Sequence, residues 1–176
     1  MENLQLLAAH HAQISAENGS DFYGEEHILR DLRRFLVEAG EEEQALALLT
    51  AARDGSTNPA GRQAAELELG RLGSVDDLKA AALGPDPSLA ALARVARAEL
   101  LAAAGRLAEA EPLWTQVVGD PSGEPMPKSL ALLGLARLDV ARGRSESARV
   151  RLEEVRTLSS DAWVLGRVAL IEADLP

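Results

Sequence analysis

"ARAELLAAAGRLAEAEPLW", residues 96–114, is built almost wholly from Ala, Leu, Arg and Glu, and a single glycine, Gly105, interrupts it. Glycine inside a helix costs about 1 kcal/mol relative to alanine, so a segment this rich in helix formers carries Gly105 for a reason of its own. The arrangement recurs. Gly40, Gly73 and Gly143 each sit between two helical patterns as well, and the four glycines are spaced by 33, 32 and 38 residues. A period in the low thirties with two helical runs per period is the mark of stacked helical hairpins. Each glycine is read as a tight turn at which one helix folds back on the next.

Working outward from these turns, the chain divides into ten predicted helices and no strand. They run over about 3–17, 25–39, 41–54, 60–72, a short one from 74 to near Gly84, 87–105, 107–118, 128–142, 145–158 and 160–173. The boundaries have mechanisms. Asn18-Gly19 supplies a left-handed stop, Asn58-Pro59 and Asp86-Pro87 each offer a cap followed by proline at the first helical position, and Ser74 with Asp77 has capping-box spacing. "GDPSGEPMP" (119–127) is expected to be the one long breaker-rich loop. The 176 residues are read as one domain: an N-terminal helix and loop (1–24), four hairpins (25–158) and a C-terminal capping helix (159–176).

Composition limits the chemistry. Hydrophobic residues make up 47% of the chain but aromatic ones only 3%, so the core must be built from Leu, Val and Ala. With no cysteine there are no disulfides, thiolate nucleophiles or Cys-ligated zinc, and a reducing, cytoplasmic setting is expected. The start "MENLQLLAAHH" lacks a basic secretory leader, and no apolar run reaches the eighteen residues of a membrane span. The net charge of −10 repels nucleic acid and anionic membranes, so neither is expected as a partner. That charge is uneven: residues 1–54 hold eleven acids and four bases (−7), while 128–176 hold seven acids and eight bases (+1).

The residues flanking the turns resemble the tetratricopeptide repeat family. That family has a small residue seven places before the turn glycine, a large apolar one four before, Ala five after and a large one nine after. Around Gly105 these places hold Ala98, Leu101, Ala110 and Trp114; around Gly143 they hold Ala136, Asp139, Ala148 and Leu152. Around Gly40 they hold Arg33, Leu36, Ala45 and Leu49, and around Gly73 Glu66, Leu69, Leu78 and Ala82. Asp139, Arg33 and Glu66 are the misfits. The resemblance implies an all-α fold, a right-handed superhelix of antiparallel hairpins, and a non-catalytic adaptor that binds a protein or peptide in a concave groove.

It also implies which residues line that groove, at thirteen, ten, six and three places before each turn. These are His27, Arg30, Arg34 and Val37; Ala60, Gln63, Leu67 and Gly70; Leu92, Val95, Glu99 and Ala102; and Leu130, Leu133, Arg137 and Val140. From them, Arg30, Arg34, Leu92, Val95, Glu99, Leu133, Arg137 and Val140 are the expected partner contacts, suited to a peptide with an acidic end and an apolar stretch. Two plainer readings stand beside this. Glu26, Arg30, Arg34 and Glu38 are spaced by four and can form a surface ion-pair ladder, and Leu92, Val95, Leu133 and Val140 can be covered by another helix of the same chain, such as 3–17.

Catalytic and metal signals are weak. His10-His11 are adjacent on a helix and point about 100° apart, His27 stands alone, and the acidic runs Glu41–Glu43 and Glu153-Glu154 read as solvated faces. No phosphate loop or nucleophile motif is present in the sequence, so neither an enzyme nor a cofactor is expected. The last helix, "DAWVLGRVALIEADL", is apolar on more than one face. Trp163 and Leu170 are therefore expected to contact a second copy, as in a homodimer, or a following domain. Self-association, as a structural or regulatory subunit of a larger signalling or transcription complex, is the alternative function.

Overall fold

The structure, a computed structural model, describes residues 22–121 and 123–175, with side chains from residue 29 onward. Among the described residues there are nine helices and no strand. They are α1 (Phe22–Glu38), α2 (Glu42–Gly55), α3 (Pro59–Arg71), α4 (Val75–Ala81), α5 (Pro87–Ala103), α6 (Leu107–Val118), α7 (Pro125–Ala141), α8 (Ser145–Leu158) and α9 (Ala162–Ala173). The helix expected at 3–17 lies outside the described residues. Two boundaries are corrected: α1 begins at Phe22, inside the stretch 1–24 expected to be N-terminal helix and loop, and α7 begins at Pro125, so the loop after α6 is shorter than the expected 119–127. Pro125 and Pro127 fall in the first turn, where the backbone N–H groups have no acceptor and proline removes nothing.

All four repeat glycines are left-handed, with φ of +77° at Gly40, +108° at Gly73, +75° at Gly105 and +71° at Gly143. Each closes the same pair of bonds. The Gly105 N–H donates to the Ala102 carbonyl at 2.9 Å and the Arg106 N–H to the Leu101 carbonyl at 2.8 Å; Gly143 and Arg144 repeat this on Val140 and Asp139 at 2.9 and 2.8 Å. This is the Schellman arrangement, which satisfies carbonyls orphaned at the helix end and reverses the chain within two residues. Gly73 has the loosest version, with a 3.4 Å bond from Ser74 to Leu69, and leads into the shortest helix, α4. The expected caps form: Asn58 accepts from Ala60 N at 3.1 Å, Ser74 from Asp77 N at 3.3 Å and Asp86 from Leu89 N at 2.9 Å; α9 has a further cap that was not expected, Asp161, which accepts from Trp163 N and Val164 N at 2.9 and 3.0 Å.

The reversed helices lie against each other as hairpins α1/α2, α3/α4, α5/α6 and α7/α8, with α9 following. Every substantial helix contact is with a helix one or two places along the chain. First helices of neighbouring hairpins touch one another (α1 with α3, α3 with α5, α5 with α7, α7 with α9), while second helices pack on the first helices that flank them. The core follows the same order as three clusters. One joins α3, α4 and α5 through Ala64, Leu67, Leu78 and Leu89; one joins α5, α6 and α7 through Val95, Ala98, Trp114 and Leu135; one joins α7, α8 and α9 through Leu133, Leu152, Val164 and Ile171. Helix α7 serves two clusters from opposite sides, which is why it is buried around most of its circumference.

The small residues sit where helices cross. Ala45, Ala98, Ala110, Ala136 and Ala148 have no exposed surface. Gly134, inside α7, marks a close approach between helices: a Cβ there would clash with the indole of Trp114. Two kinds of glycine thus do different work, and substitution separates them. Gly105→Ala, where a Cβ meets nothing within 4 Å, is expected to cost about 1–2 kcal/mol in urea unfolding purely from the left-handed backbone. Gly105→Asn should recover much of that loss. Gly134→Ala is expected to destabilise by overpacking, about 1–3 kcal/mol, against the roughly 1 kcal/mol of helix propensity that alanine would add.

Candidate functional site

The first helices carry the residues expected to meet a partner, and the structure sorts them into three groups. At the α1 end, Arg34 is exposed and donates from Nε to Glu38 at 2.9 Å, and Arg30 lies half-buried with Nε 3.6 Å from Asp31. The Arg34 to Glu38 step of the surface ladder is therefore formed. The side chains of Glu26 and His27 lie outside the described residues.

In the middle, the expected lining is core. Leu67 has no exposed surface, and Gly70 is closed over by Leu78, whose side chain occupies the place of a Cβ. Gln63 is buried and fully bonded: its amide donates to the carbonyls of Ala81 and Asp86 at 2.9 Å each, and its oxygen accepts from Asp86 N at 2.8 Å. It clamps the loop that links α4 to α5. Gly84 in that loop leaves room for the Gln63 side chain to enter.

Two of the expected partner contacts are corrected in the same way. Val95 is 5% and Leu133 1% exposed, each inside one of the core clusters. In hairpins two to four the place ten residues before the turn is turned into the stack, Gln63 onto α4 and the α4–α5 loop, Val95 and Leu133 into the core clusters. Leu92 and Val140 are half-buried against the core, Leu92 on the α3–α5 cluster and Val140 on the α7–α9 cluster.

The remaining residues come together. Glu99 of α5 and Arg137 of α7, both six places before their turns, meet across the hairpin boundary with an Nη2 to Oε1 distance of 2.5 Å. They stand at the rim of an open cleft of about 300 Å³. Its walls are Ala102 and Ala103 of α5, Leu107 at the start of α6, and Leu138 and Ala141 of α7, with Trp114 over Gly134 behind them. The indole N–H of Trp114 is buried beside Gly134 and has no acceptor, so the ring acts as an apolar plate. Short side chains on α5 and α7 leave this space open. A wider hollow of about 580 Å³ lies between α8 and the end of α9, crossed by Arg156, which holds Glu172 through two bonds at 2.7 and 2.8 Å.

Two of the pattern's misfits prove to be halves of buried ion clusters. Asp139 has a 3% exposed side chain and accepts from Arg144 and Arg151, at 2.9 and 2.8 Å from their Nε atoms. Glu68 is wholly buried between Arg33 of the previous hairpin, at 2.6 Å, and Arg71 of its own helix, at 2.5 Å. Glu68 was not legible as a site residue, since its partner Arg33 is 35 positions away and shares no helix face with it. The signal that pointed toward it was Arg33 itself, too large for the small-residue place it occupies. Among the described residues, no group of three or more His, Asp or Glu side chains is placed to hold a metal ion, and no helix is long and apolar enough to cross a membrane. Compared with known proteins, the chain finds no counterpart: no family model, no curated protein and no solved structure matches it.

Asp139→Leu restores the apolar residue that Leu36, Leu69 and Leu101 supply in the other hairpins, and frees two arginines that are already 33–46% exposed and can hydrate. Urea unfolding should show it neutral or stabilising, whereas Asp139→Asn, still polar but unable to compensate both cations, should destabilise. Acid should weaken the fold. Hydrogen bonding from Arg142, and with it the Arg142 charge, holds Glu111 below the usual carboxylate range; Arg106 does the same to Glu109 and Lys79 to Asp76. Their contribution is present above the unfolded carboxylate range and is lost as pH falls through it. Burial, and then Asp77, raise Glu66 and act in the opposite sense. With the lowered groups in the majority, melting temperature should fall below about pH 5, and Glu111→Gln should flatten that fall.

Proposed function

We propose that the chain is a non-catalytic protein-interaction module of tetratricopeptide-like build, acting in the cytoplasm. In this reading the hairpins form a right-handed superhelix with first helices on the concave side, and a peptide or protein segment docks over the cleft between α5 and α7. The observation that carries it is the unequal packing of the two helix sets. First helices touch one another directly, whereas second helices are held apart by the first helices between them. An array spaced more tightly on one side curves toward that side.

The chemistry of the cleft supports one kind of anchor. A volume of about 300 Å³ is at the lower end for ligand pockets and accommodates one large apolar side chain rather than a cofactor. Glu99 and Arg137 already neutralise each other. A partner carboxylate at Arg137 or at Arg34, which bonds Glu38, would compete with these exposed pairs. The Arg137 fork has five N–H donors and uses one on Glu99, and the carboxylate has lone pairs to spare, so the rim suits the N–H and C=O groups of a peptide backbone beside its apolar anchor.

Peptide display against the full chain provides the test. Selected sequences should share a large apolar residue. Ala141→Trp, an exposed position in the cleft wall, should weaken their binding at least tenfold, about 1.4 kcal/mol. Equal binding by a variant whose circular dichroism is unchanged would reject the cleft as the docking place.

A further inference from the structure

We infer that the Glu99–Arg137 pair is a strap across the cleft between α5 and α7: it parts to admit a partner's anchor, so docking strengthens as ionic strength rises. The inference rests on the reading of this cleft as the docking place and adds how entry to it is controlled. Glu99 stands on the α5 wall and Arg137 on the α7 wall, and their bond of 2.5 Å runs from one wall to the other. It lies on the solvent side of the cleft. The two side chains are 37% and 40% exposed, whereas Leu138 and Trp114 beneath them are 3% and 2% exposed.

The register of the two walls places the strap between the entrance and the floor. Ala103 on α5 and Ala141 on α7 are exposed where the cleft opens, each four residues on from its member of the pair. Gly134, whose missing Cβ makes room for the Trp114 indole, comes three residues before Arg137. At 1.5 Å per residue the opening is about 6 Å to one side of the pair and the Trp114 plate about 4.5 Å to the other. An apolar side chain large enough to fill the cleft therefore passes beneath the pair to reach the indole.

The strap is weak enough to open. Among the described residues neither Glu99 nor Arg137 has a second bonding partner. Asp139 and Glu68 differ, each being buried and shared by two arginines. A half-exposed pair held only by its own two members is worth little, and salt screens it. A docking place that is open for part of the time binds with an affinity reduced by that fraction, so loss of the strap, by salt or by substitution, raises affinity about two- to fivefold. Parting also frees both groups for a peptide backbone, the carboxylate to accept from an N–H and the guanidinium to donate to a C=O.

The test titrates N-acetyl-L-phenylalaninamide, one large apolar side chain between two amides, into the full chain and follows the Trp114 indole N–H signal by NMR. The chain has two tryptophans, and Trp163→Phe, at a position 58% exposed, identifies which signal belongs to Trp114. At about 20 mM salt Glu99→Gln, which keeps the size and an acceptor but not the charge, should bind this probe about two- to fivefold more tightly than wild type, and the gap should close at about 500 mM. The ratio of the two proteins at each salt concentration removes the general strengthening of apolar binding by salt. Glu99→Arg combined with Arg137→Glu rebuilds the strap with its charges exchanged and should restore the wild-type affinity and salt dependence. Glu99→Gln binding no more tightly than wild type at low salt, or an exchanged pair that behaves like Glu99→Gln, overturns the strap and leaves the cleft as the docking place. A Trp114 signal that no concentration of the probe shifts rejects the cleft itself, and the strap with it.

Discussion

Everything in this fold depends on four peptide units held in the left-handed region. A helix that ends in an ordinary residue leaves several carbonyls unsatisfied and its chain direction undecided. Glycine at positive φ removes both difficulties together, because the same two bonds that satisfy the carbonyls turn the chain back alongside itself. Once the direction is set, the next helix must bury its apolar stripe on the one before. The positions that face each other are then fixed in number from the turn: seven before, four before, five after and nine after. The burial of Ala98, Leu101, Ala110 and Trp114 around Gly105 follows from this register, and so does that of Leu36, Ala45 and Leu49 around Gly40.

Apolar packing joins helices within and between hairpins, and much of the polar binding between hairpins falls to arginine. Arg33 reaches Glu68, Arg53 reaches Asp77, Arg137 reaches Glu99, Arg142 takes Glu111 with two bonds, and Arg156 takes Glu172 with two. Each of these pairs crosses from one hairpin to the next or to α9. A planar fork on a long stem is suited to that job, since it spans the gap between helices and matches a carboxylate in orientation as well as charge. Between the second and third hairpins uncharged acceptors are used instead: Gln63 holds the α4–α5 loop, and Arg94 donates to the Ala82 carbonyl at 2.9 Å. That seam contains the short α4, where there is least helix surface to pair across.

The all-helical class and the helix boundaries were legible because their signals are local. A cap, a proline at the first position or a glycine after the last turn acts on its own few residues, and the structure places nearly all of them within a few positions of expectation. The start of α7 was missed because prolines at 125 and 127 read as breakers unless the helix is already known to begin there. The site was less legible. Distance from the turn predicts which way a side chain points, and it brought Glu99, Ala102 and Arg137 to one cleft. It does not say how much of that direction the neighbouring hairpin has already filled. Val95, Leu133, Leu67 and Gln63 point as expected and are covered, since coverage is decided by residues of other helices and loops, 18 and 23 places away in the case of Gln63.

That distinction also explains where open surface remains. A first helix in the middle of the stack is enclosed by its own partner and by both neighbouring hairpins, so it exposes a ligand surface only where its side chains are too short to close the gap. Ala102, Ala103 and Ala141 are such residues, and the cleft opens over them. Helix α9, the last described helix, packs on α7 and α8 alone. There the side chains must be polar to be stable alone or apolar to be covered, and in α9 they are Trp163, Ala169 and Leu170. The two exposed places among the described residues therefore have one origin: both are interruptions of a regular rule of coverage, the first made by small residues within the array and the second at α9, which packs on earlier helices alone.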